Sequence, residues 1–311
     1  MDIQNKQYKV LTRGDFDGIV CAALLKEIQM VKEVSFVHPK DMLDGKIEVS
    51  GNDIIADLPY HPNAHFVFDY HYRKSGDQEI KNKNFIVDEK ALSTSRVVYN
   101  HFKNDGVFSG LEEELLDAVD KANAGYFTME DVLYPKRWEM LNFLLDPRTG
   151  LGRFKDFKLS YQEFILKMTD WISRYPVEKI LEMSDVLERT QLYESYQEKF
   201  QEQILSCAAI QGNLVILDLR KEEMIYPGNR FMIYALFPTC NLSMYLLNSY
   251  DKKNTVITLG KSIFKRTSLV NLQQIMAFYG GSAHQYAGEC QVENAAAEKV
   301  FQEIAGRVEV K

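Results

Sequence analysis

Five aspartates fall where chemistry could use them. Asp15 and Asp17 stand two residues apart in Thr12-Arg13-Gly14-Asp15-Phe16-Asp17, with Gly18 directly behind them. Asp57 follows Ile54-Ile55-Ala56, Asp69 follows Phe66-Val67-Phe68 with His71 two residues on, and Asp120 closes a helical pattern at Ala118-Val119-Asp120. A single carboxylate at a strand end is ordinarily a solvated loop residue. Several at one sheet edge repel one another, and that repulsion must be relieved by protons or by a cation. Such oxygen donors suit a hard divalent ion, magnesium or manganese.

The order of elements is what would bring them together. Short apolar runs at Tyr8 to Leu11, Val34 to Val37, Ile54 to Ala56, His65 to Phe68 and Phe85 to Val87 read as strands. Helical patterns at Ile19 to Met30, Ser93 to Phe102 and Leu111 to Ala122 stand between or after them. Strand–helix alternation implies a largely parallel sheet covered by helices, whose working residues gather at its carboxyl edge. From Asp131 to about Cys207 the pattern is helical, with stretches at Trp138 to Leu145 and Leu159 to Tyr175 ended by Pro147 and Pro176. Asp185 with Glu188 reads as a capping box. It opens a long helix in which Val186, Tyr193 and Phe200 recur every seven residues. Strand signals return at Leu214 to Leu219, Phe231 to Phe237, Leu242 to Leu247 and Thr255 to Leu259, before helical patterns at Leu269 to Phe278 and Ala295 to Ile304. The sequence therefore predicts an α/β protein of two domains. Residues 1–183 form the parallel-sheet domain, 184–206 a long connecting helix, and 207–311 a smaller α/β domain.

Composition sets the outer bounds. The 311 residues carry 44 acidic and 37 basic side chains, a net charge of −7, with 46% hydrophobic residues. That is ample for two cores, and it argues against sequence-blind coating of nucleic acid, which needs a positive surface. Cys21, Cys207, Cys240 and Cys290 lie too far apart for a zinc or dense disulfide framework, and read as free thiols of a reducing compartment. Met1 to Val10 is polar, and no apolar run approaches the ~20 residues of a membrane span. A cytoplasmic protein is expected.

Asp15-Phe16-Asp17-Gly18, Asp57 and Asp69-Tyr70-His71 resemble the first three motifs of the DHH phosphoesterases. Gly280-Gly281-Ser282-Ala283-His284-Gln285-Tyr286-Ala287-Gly288 resembles the glycine-rich signature of the DHH-associated domain. Asp146-Pro147-Arg148-Thr149-Gly150-Leu151-Gly152-Arg153-Phe154 and Pro227-Gly228-Asn229-Arg230-Phe231 look like the exopolyphosphatase-related subgroup. The resemblance implies a parallel-sheet DHH domain followed by a substrate-binding DHH-associated domain, and frequent homodimers. It also implies two-metal hydrolysis, with ions about 4 Å apart activating a water. Carried over, Asp15, Asp17, Asp57, Asp69 and His71 match the catalytic motifs. The resemblance implies that Asp15, Asp17 and Asp57 are the metal ligands among them.

The departures shape the functional reading. Arg13 stands where the histidine opening the first motif belongs, and Tyr70 where the first histidine of D-H-H belongs. Asn123 aligns with the fourth-motif aspartate, with Asp120 as the alternative. Arginine stays protonated and has no lone pair to give a metal. Its guanidinium could instead neutralise Asp15 and Asp57, doing electrostatically what the first metal does elsewhere. The residues then predict at most one magnesium or manganese ion, on Asp15, Asp17 and Asp57 with Asn123, rather than a full dimanganese centre. On the other view Tyr70 is a packed core residue, Asn123 ends a helix and Asp120 supplies the missing ligand.

In the second domain Arg230, Lys265, Arg266, Gly280, Gly281 and His284 are the candidates for binding a phosphate, through glycine-turn amides and arginine forks. Lys252 and Lys253 read as a solvated face. Two functions stay open. In the first, the protein is a degenerate DHH pseudoenzyme, impaired in hydrolysis, that binds a phosphate-bearing ligand, a short nucleotide or a protein partner, assembly included. The alternative is an active metal-dependent phosphoesterase on short oligonucleotides, dinucleotides or polyphosphate, with one metal and Arg13 as charge clamp. Replacements in the ligand set and in the glycine-rich loop, where Ser282 and Ala283 stand for the usual glycines and Gln285 for a common arginine, favour the first.

Overall fold

The computed structural model describes residues 6–70, 74–75, 78–79, 82–105, 108, 113–249 and 251–309; His71 lies outside them. The chain forms two compact units, Met1–Tyr126 with Lys136–Leu192, and Phe127–Pro135 with Tyr193–Lys311.

The first unit is built on a five-stranded parallel sheet in the order Val31–Phe36, Tyr8–Thr12, Asp53–Ala56, Phe66–Asp69, Phe85–Val87. Leu11 pairs with Ser35 on one side and with Ile55 on the other. All four residues of Asp53–Ala56 are buried. A strand covered on both faces has no polar side to show, hence a continuous apolar run instead of alternation. From Tyr8–Thr12 the chain passes through the helix Phe16–Glu27 to the strand on one side, then crosses to Asp53–Ala56 on the other. The strand order therefore reverses between Tyr8–Thr12 and Asp53–Ala56. Phe16 to Leu25 of that helix are all buried, and it packs against the helices Thr94–Phe102 and Tyr161–Trp171.

The second unit holds a six-stranded mixed sheet in the order Ser282–Ala283, Ala287–Glu293, Asn254–Lys261, Leu242–Asn248, Leu214–Asp218, Ala208–Gln211. Leu242–Asn248 runs parallel to Leu214–Asp218, and the other pairings are antiparallel. Leu246, Ile257, Met276 and Ile304 lie in its core, under the helices Leu272–Phe278 and Asn294–Glu309.

Several elements differ from the sequence expectation. Phe231 to Phe237 is not a strand; Met232–Leu236 is a helix. A short apolar run does not distinguish the two. Asn229 decides it, because its side-chain oxygen accepts from the Phe231 amide at 3.1 Å and its carbonyl from the Met232 amide at 3.1 Å, which starts a turn. Residues 184–206 are two helices, Ser184–Ser195 and Gln197–Cys207. Tyr196 interrupts them at φ −103°, ψ −2°, its amide bonding the Tyr193 carbonyl three residues back. Glu188 forms no capping box, since its carboxylate accepts from the Lys158 amide and Arg189. Among the described residues, capping boxes form at Thr128 with Asp131 and at Ser160 with Glu163. An unexpected strand, Ala287–Glu293, runs out of the glycine-rich stretch. There a Cβ on Gly281 would fall 2.2 Å from the Glu289 carbonyl oxygen, so that glycine is a packing requirement. No described helix is long and apolar enough to cross a membrane. The four cysteines are free thiols, three buried and Cys207 half-buried.

Candidate active site

Arg13 follows the strand Tyr8–Thr12, Asp57 follows Asp53–Ala56, and Asp69 ends Phe66–Asp69. The first two strands flank the reversal of strand order, where an open α/β sheet leaves its ligand crevice. The turn between strand and helix is tight. A Cβ on Gly18 would fall 2.1 Å from the Arg13 carbonyl oxygen, so only glycine lets the helix start so close to the strand. Asp15 caps that helix by accepting from the Gly18 amide at 3.2 Å, and Asp17 is carried into the buried first turn.

Arg13 bridges two carboxylates. One terminal nitrogen lies 2.8 Å from Asp15 Oδ2 and the other 3.3 Å from Asp57 Oδ2. Asp15 and Asp57 hold the guanidinium firmly in its charged form against the pull of burial. Asp57 is 4% exposed and sits at φ +56°, in the left-handed region that aspartate tolerates better than most residues. The Thr94 hydroxyl reaches its Oδ1 only at 3.4 Å. Burial pushes the Asp57 carboxyl well above the usual range. Arg13 works against this, while Asp15, Asp17 and Asp69 add to it.

Asp17 is held differently. It accepts from the Thr94 and Ser95 amides at 2.8 Å each and from Asn123 Nδ2 at 2.7 Å. Thr94 and Ser95 open the helix Thr94–Phe102, so its unsatisfied first-turn amides and positive dipole end face the carboxylate. Burial raises the Asp17 carboxyl, and these two amides oppose the rise. Sequence reasoning missed this pair. Ser93-Thr94-Ser95 marks a helix start, but no residue type reveals which anion a backbone amide will meet.

The two fourth-motif candidates meet different partners. Asp120 accepts from Arg96 Nε at 2.8 Å and from the Ser93 hydroxyl at 2.5 Å, and Arg96 also pairs with Glu113 and Asp117. Asn123, not Asp120, reaches the acidic cluster. Asp69 is fully buried. Tyr70 is half-buried beside the cluster. Burial, with Asp57, Asp17 and Asp69, pushes its hydroxyl far up, so it stays a proton donor.

Whether these residues suit a metal can be tested on their chemistry. Among the described residues no three His, Cys, Asp or Glu side chains stand in ligating array, and Arg13 fills the place between Asp15 and Asp57. Yet four aspartates gather against that one bridging arginine, two of them raised by burial. Oxygen-only donors with excess buried negative charge fit a hard divalent cation.

In the second unit the expected phosphate-binding residues are held locally. Lys265 Nζ donates to the Thr239 carbonyl at 2.7 Å and Arg266 Nε to the Ile263 carbonyl at 2.9 Å. His284 is exposed, its Nδ1 accepting from the Tyr286 amide at 3.3 Å. Arg230 is half-buried and stacks on the Phe231 ring at 4.3 Å. Gly280 turns at φ +71° and Gly281 lies against the strand Ala287–Glu293. Within Pro227-Gly228-Asn229-Arg230, Asn229 is buried and donates to the Val132 carbonyl at 2.9 Å and the Tyr193 hydroxyl at 3.1 Å.

An all-parallel sheet with this aspartate cluster at its switch point, followed by the mixed second sheet, defines a DHH-type architecture, and the chain belongs to the DHH phosphoesterase superfamily. It is 42% identical to PggH, a pGpG-specific phosphodiesterase from Vibrio cholerae, over 97% of this chain and 99% of that one, with a TM-score of 0.82. The PF0399 DHH domain is 14% identical over 99% of this chain and 87% of that one, with a TM-score of 0.58. RecJ from Thermus thermophilus, in complex with Mn2+, is 9% identical over 98% of this chain and 52% of that one, with a TM-score of 0.58. The last two share the fold alone. No family model and no curated protein matches the chain.

Proposed function

We propose that this chain is a metal-dependent phosphodiesterase that hydrolyses a linear dinucleotide of the pGpG type to two mononucleotides. The 42% identity to PggH across 97% of the chain carries this reading. It favours the active alternative over the hydrolysis-impaired one that Arg13 and Tyr70 suggested. In the reaction, water adds to the phosphorus of the bridging phosphodiester and the bond from phosphorus to the 3′-oxygen breaks. The 3′-oxygen departs with a proton, leaving two 5′-mononucleotides.

Asp17 and Asp57 would hold one divalent cation, with the Asn123 side-chain oxygen if its amide turns. Bound there, the cation supplies activation of water and stabilisation of phosphoryl charge. Arg13, fixed by Asp15 and Asp57, keeps its positive charge and stabilises the negative charge that grows on the phosphoryl oxygens. Tyr70 keeps its proton and serves as a hydrogen-bond donor to the same group. The test is incubation of the purified protein with pGpG and manganese or magnesium, with chromatography of GMP. Turnover on the order of 1 s⁻¹ or faster, lost on adding EDTA, is expected. A folded protein that releases no GMP with either metal overturns the reading.

A further inference from the structure

The turn Asp146-Pro147-Arg148-Thr149-Gly150 takes no part in the chemistry above, yet it is built beside it. One hydroxyl places it: Tyr161 Oη lies 3.0 Å from the Gly14 carbonyl oxygen and 2.7 Å from that of Leu145. The next residues along the chain are Asp15 and Asp146. The turn carrying Arg148 therefore adjoins the turn carrying Arg13, Asp15 and Asp17.

Asp146 is buried and shapes its own turn. Its Oδ1 accepts from the Arg148 amide at 2.9 Å and from Arg148 Nε at 2.7 Å. The Thr149 hydroxyl donates to the Asp146 carbonyl at 2.8 Å, and Gly150 ends the turn at φ +82°. This pin uses only the Nε of Arg148. Its two terminal nitrogens have no protein partner among the described residues, and half of the side chain, 50%, is exposed. Asp15 and Arg13 both act on its charge, which again places it at the cluster's margin.

An arginine fixed at one nitrogen and presenting its remaining fork suits bidentate capture of a phosphate. A linear dinucleotide with a 5′-phosphate needs such a group. With its bridging phosphate at Arg13, as the phosphodiesterase reading has it, a second phosphate next to four aspartates requires a positive partner of its own. We propose that Arg148 captures the terminal 5′-phosphate of a linear dinucleotide whose bridging phosphodiester lies at the Arg13–Asp57 cluster. This rests on the phosphodiesterase reading and deepens it, making Arg148 the residue that selects 5′-phosphorylated dinucleotides over those ending in a 5′-hydroxyl.

The test compares pGpG with GpG. Steady-state kinetics are measured for the wild type, Arg148→Ala and Arg148→Lys, alongside calorimetric titration of both dinucleotides in EDTA. Arg148→Ala should lower kcat/KM for pGpG by about 10- to 100-fold, mainly through KM, the range expected for losing charge-assisted hydrogen bonds. That loss should exceed the loss on GpG at least tenfold, and Arg148→Lys should recover part of it as a point charge. Equal losses on both dinucleotides, or a pGpG preference that survives Arg148→Ala, overturn the proposal. If the wild type cleaves neither, the phosphodiesterase reading fails by itself. The calorimetric ratio of pGpG to GpG affinity then decides on Arg148, and a ratio unmoved by Arg148→Ala refutes it.

Discussion

Each unit ends a strand with an aspartate paired to arginine, and the two pairs behave in opposite ways. In the second unit Asp218 closes the strand Leu214–Asp218 and takes Arg220 bidentately, at 2.9 Å from Nε and 2.6 Å from a terminal nitrogen, with Glu298 3.2 Å away. Burial alone would raise the Asp218 carboxyl, but the Arg220 side chain and amide outweigh it and hold Asp218 below its usual range. In the first unit Arg13 divides itself between Asp15 and Asp57, and Asp57 still rises. The better-made ion pair is the ordinary one. Side-chain exposure explains it, 35% for Asp218 against 4% for Asp57. Partial exposure together with Arg220 settles the charge of the first, whereas the second keeps an excess of buried negative charge that a proton or a cation relieves.

The largest test of that contrast is Asp57→Asn. Turnover should fall by about 10³-fold, the order seen when a preorganised charge is removed from a site. Stability should hold or improve slightly. A carboxyl raised on folding stabilises below its unfolded value of 3.8 and loses that contribution as pH climbs through the folded value. At pH 7, above the unfolded value, folding this carboxyl costs stability in the wild type, so denaturant unfolding of the variant should show no loss. An activity loss under tenfold would break the comparison.

Arg13→Ala comes next, with a loss of about 10²-fold in kcat. Stability should drop by about 1–2 kcal/mol, tempered because the Arg13 side chain is 36% exposed. Wild-type turnover in this variant would remove Arg13 from the chemistry. Arg220→Ala should have the smallest effect, under about 1 kcal/mol of stability at pH 7 and no change in turnover. A carboxyl lowered on folding stabilises above its unfolded value of 3.8 and loses that as pH falls through the folded value. Stability against pH should therefore fall less steeply below 4 in the variant than in the wild type. An unchanged acid limb would show that Arg220 does not set the Asp218 carboxyl.

Much of the first unit was legible because its signals are local and redundant. Phe85–Val87 is a strand to the residue expected, and Asp57 and Asp69 each stand at the end of a short apolar run that is a buried strand. The Arg13 bridge could be anticipated because a charged side chain advertises what it seeks. Legibility failed where backbone groups or long-range ties decide. The amides of Thr94 and Ser95 reach Asp17 across more than 70 residues of chain. Asp120, a chemically apt ligand, is drawn off by Arg96. Phe231 to Phe237 carries a strand's composition and becomes a helix because Asn229 turns the chain ahead of it. The glycines near 281–288 looked like a ligand loop, and Gly281 makes room for the neighbouring strand.

The short excursion Phe127–Pro135 belongs to the second unit although chain of the first unit lies on either side of it. Its Val132 carbonyl receives buried Asn229, and its Phe127 ring packs against Phe231 at 5.5 Å. During synthesis this excursion leaves the ribosome well before residues 193–231 exist to cover it. The first unit can begin to fold on its own timetable, while the apolar side chains of Phe127 and Val132 wait for their partners. For the same reason a fragment starting at Tyr193 would release the second unit without its strap. Dissection of this protein into halves calls for a permuted or co-expressed strap, not a single cut.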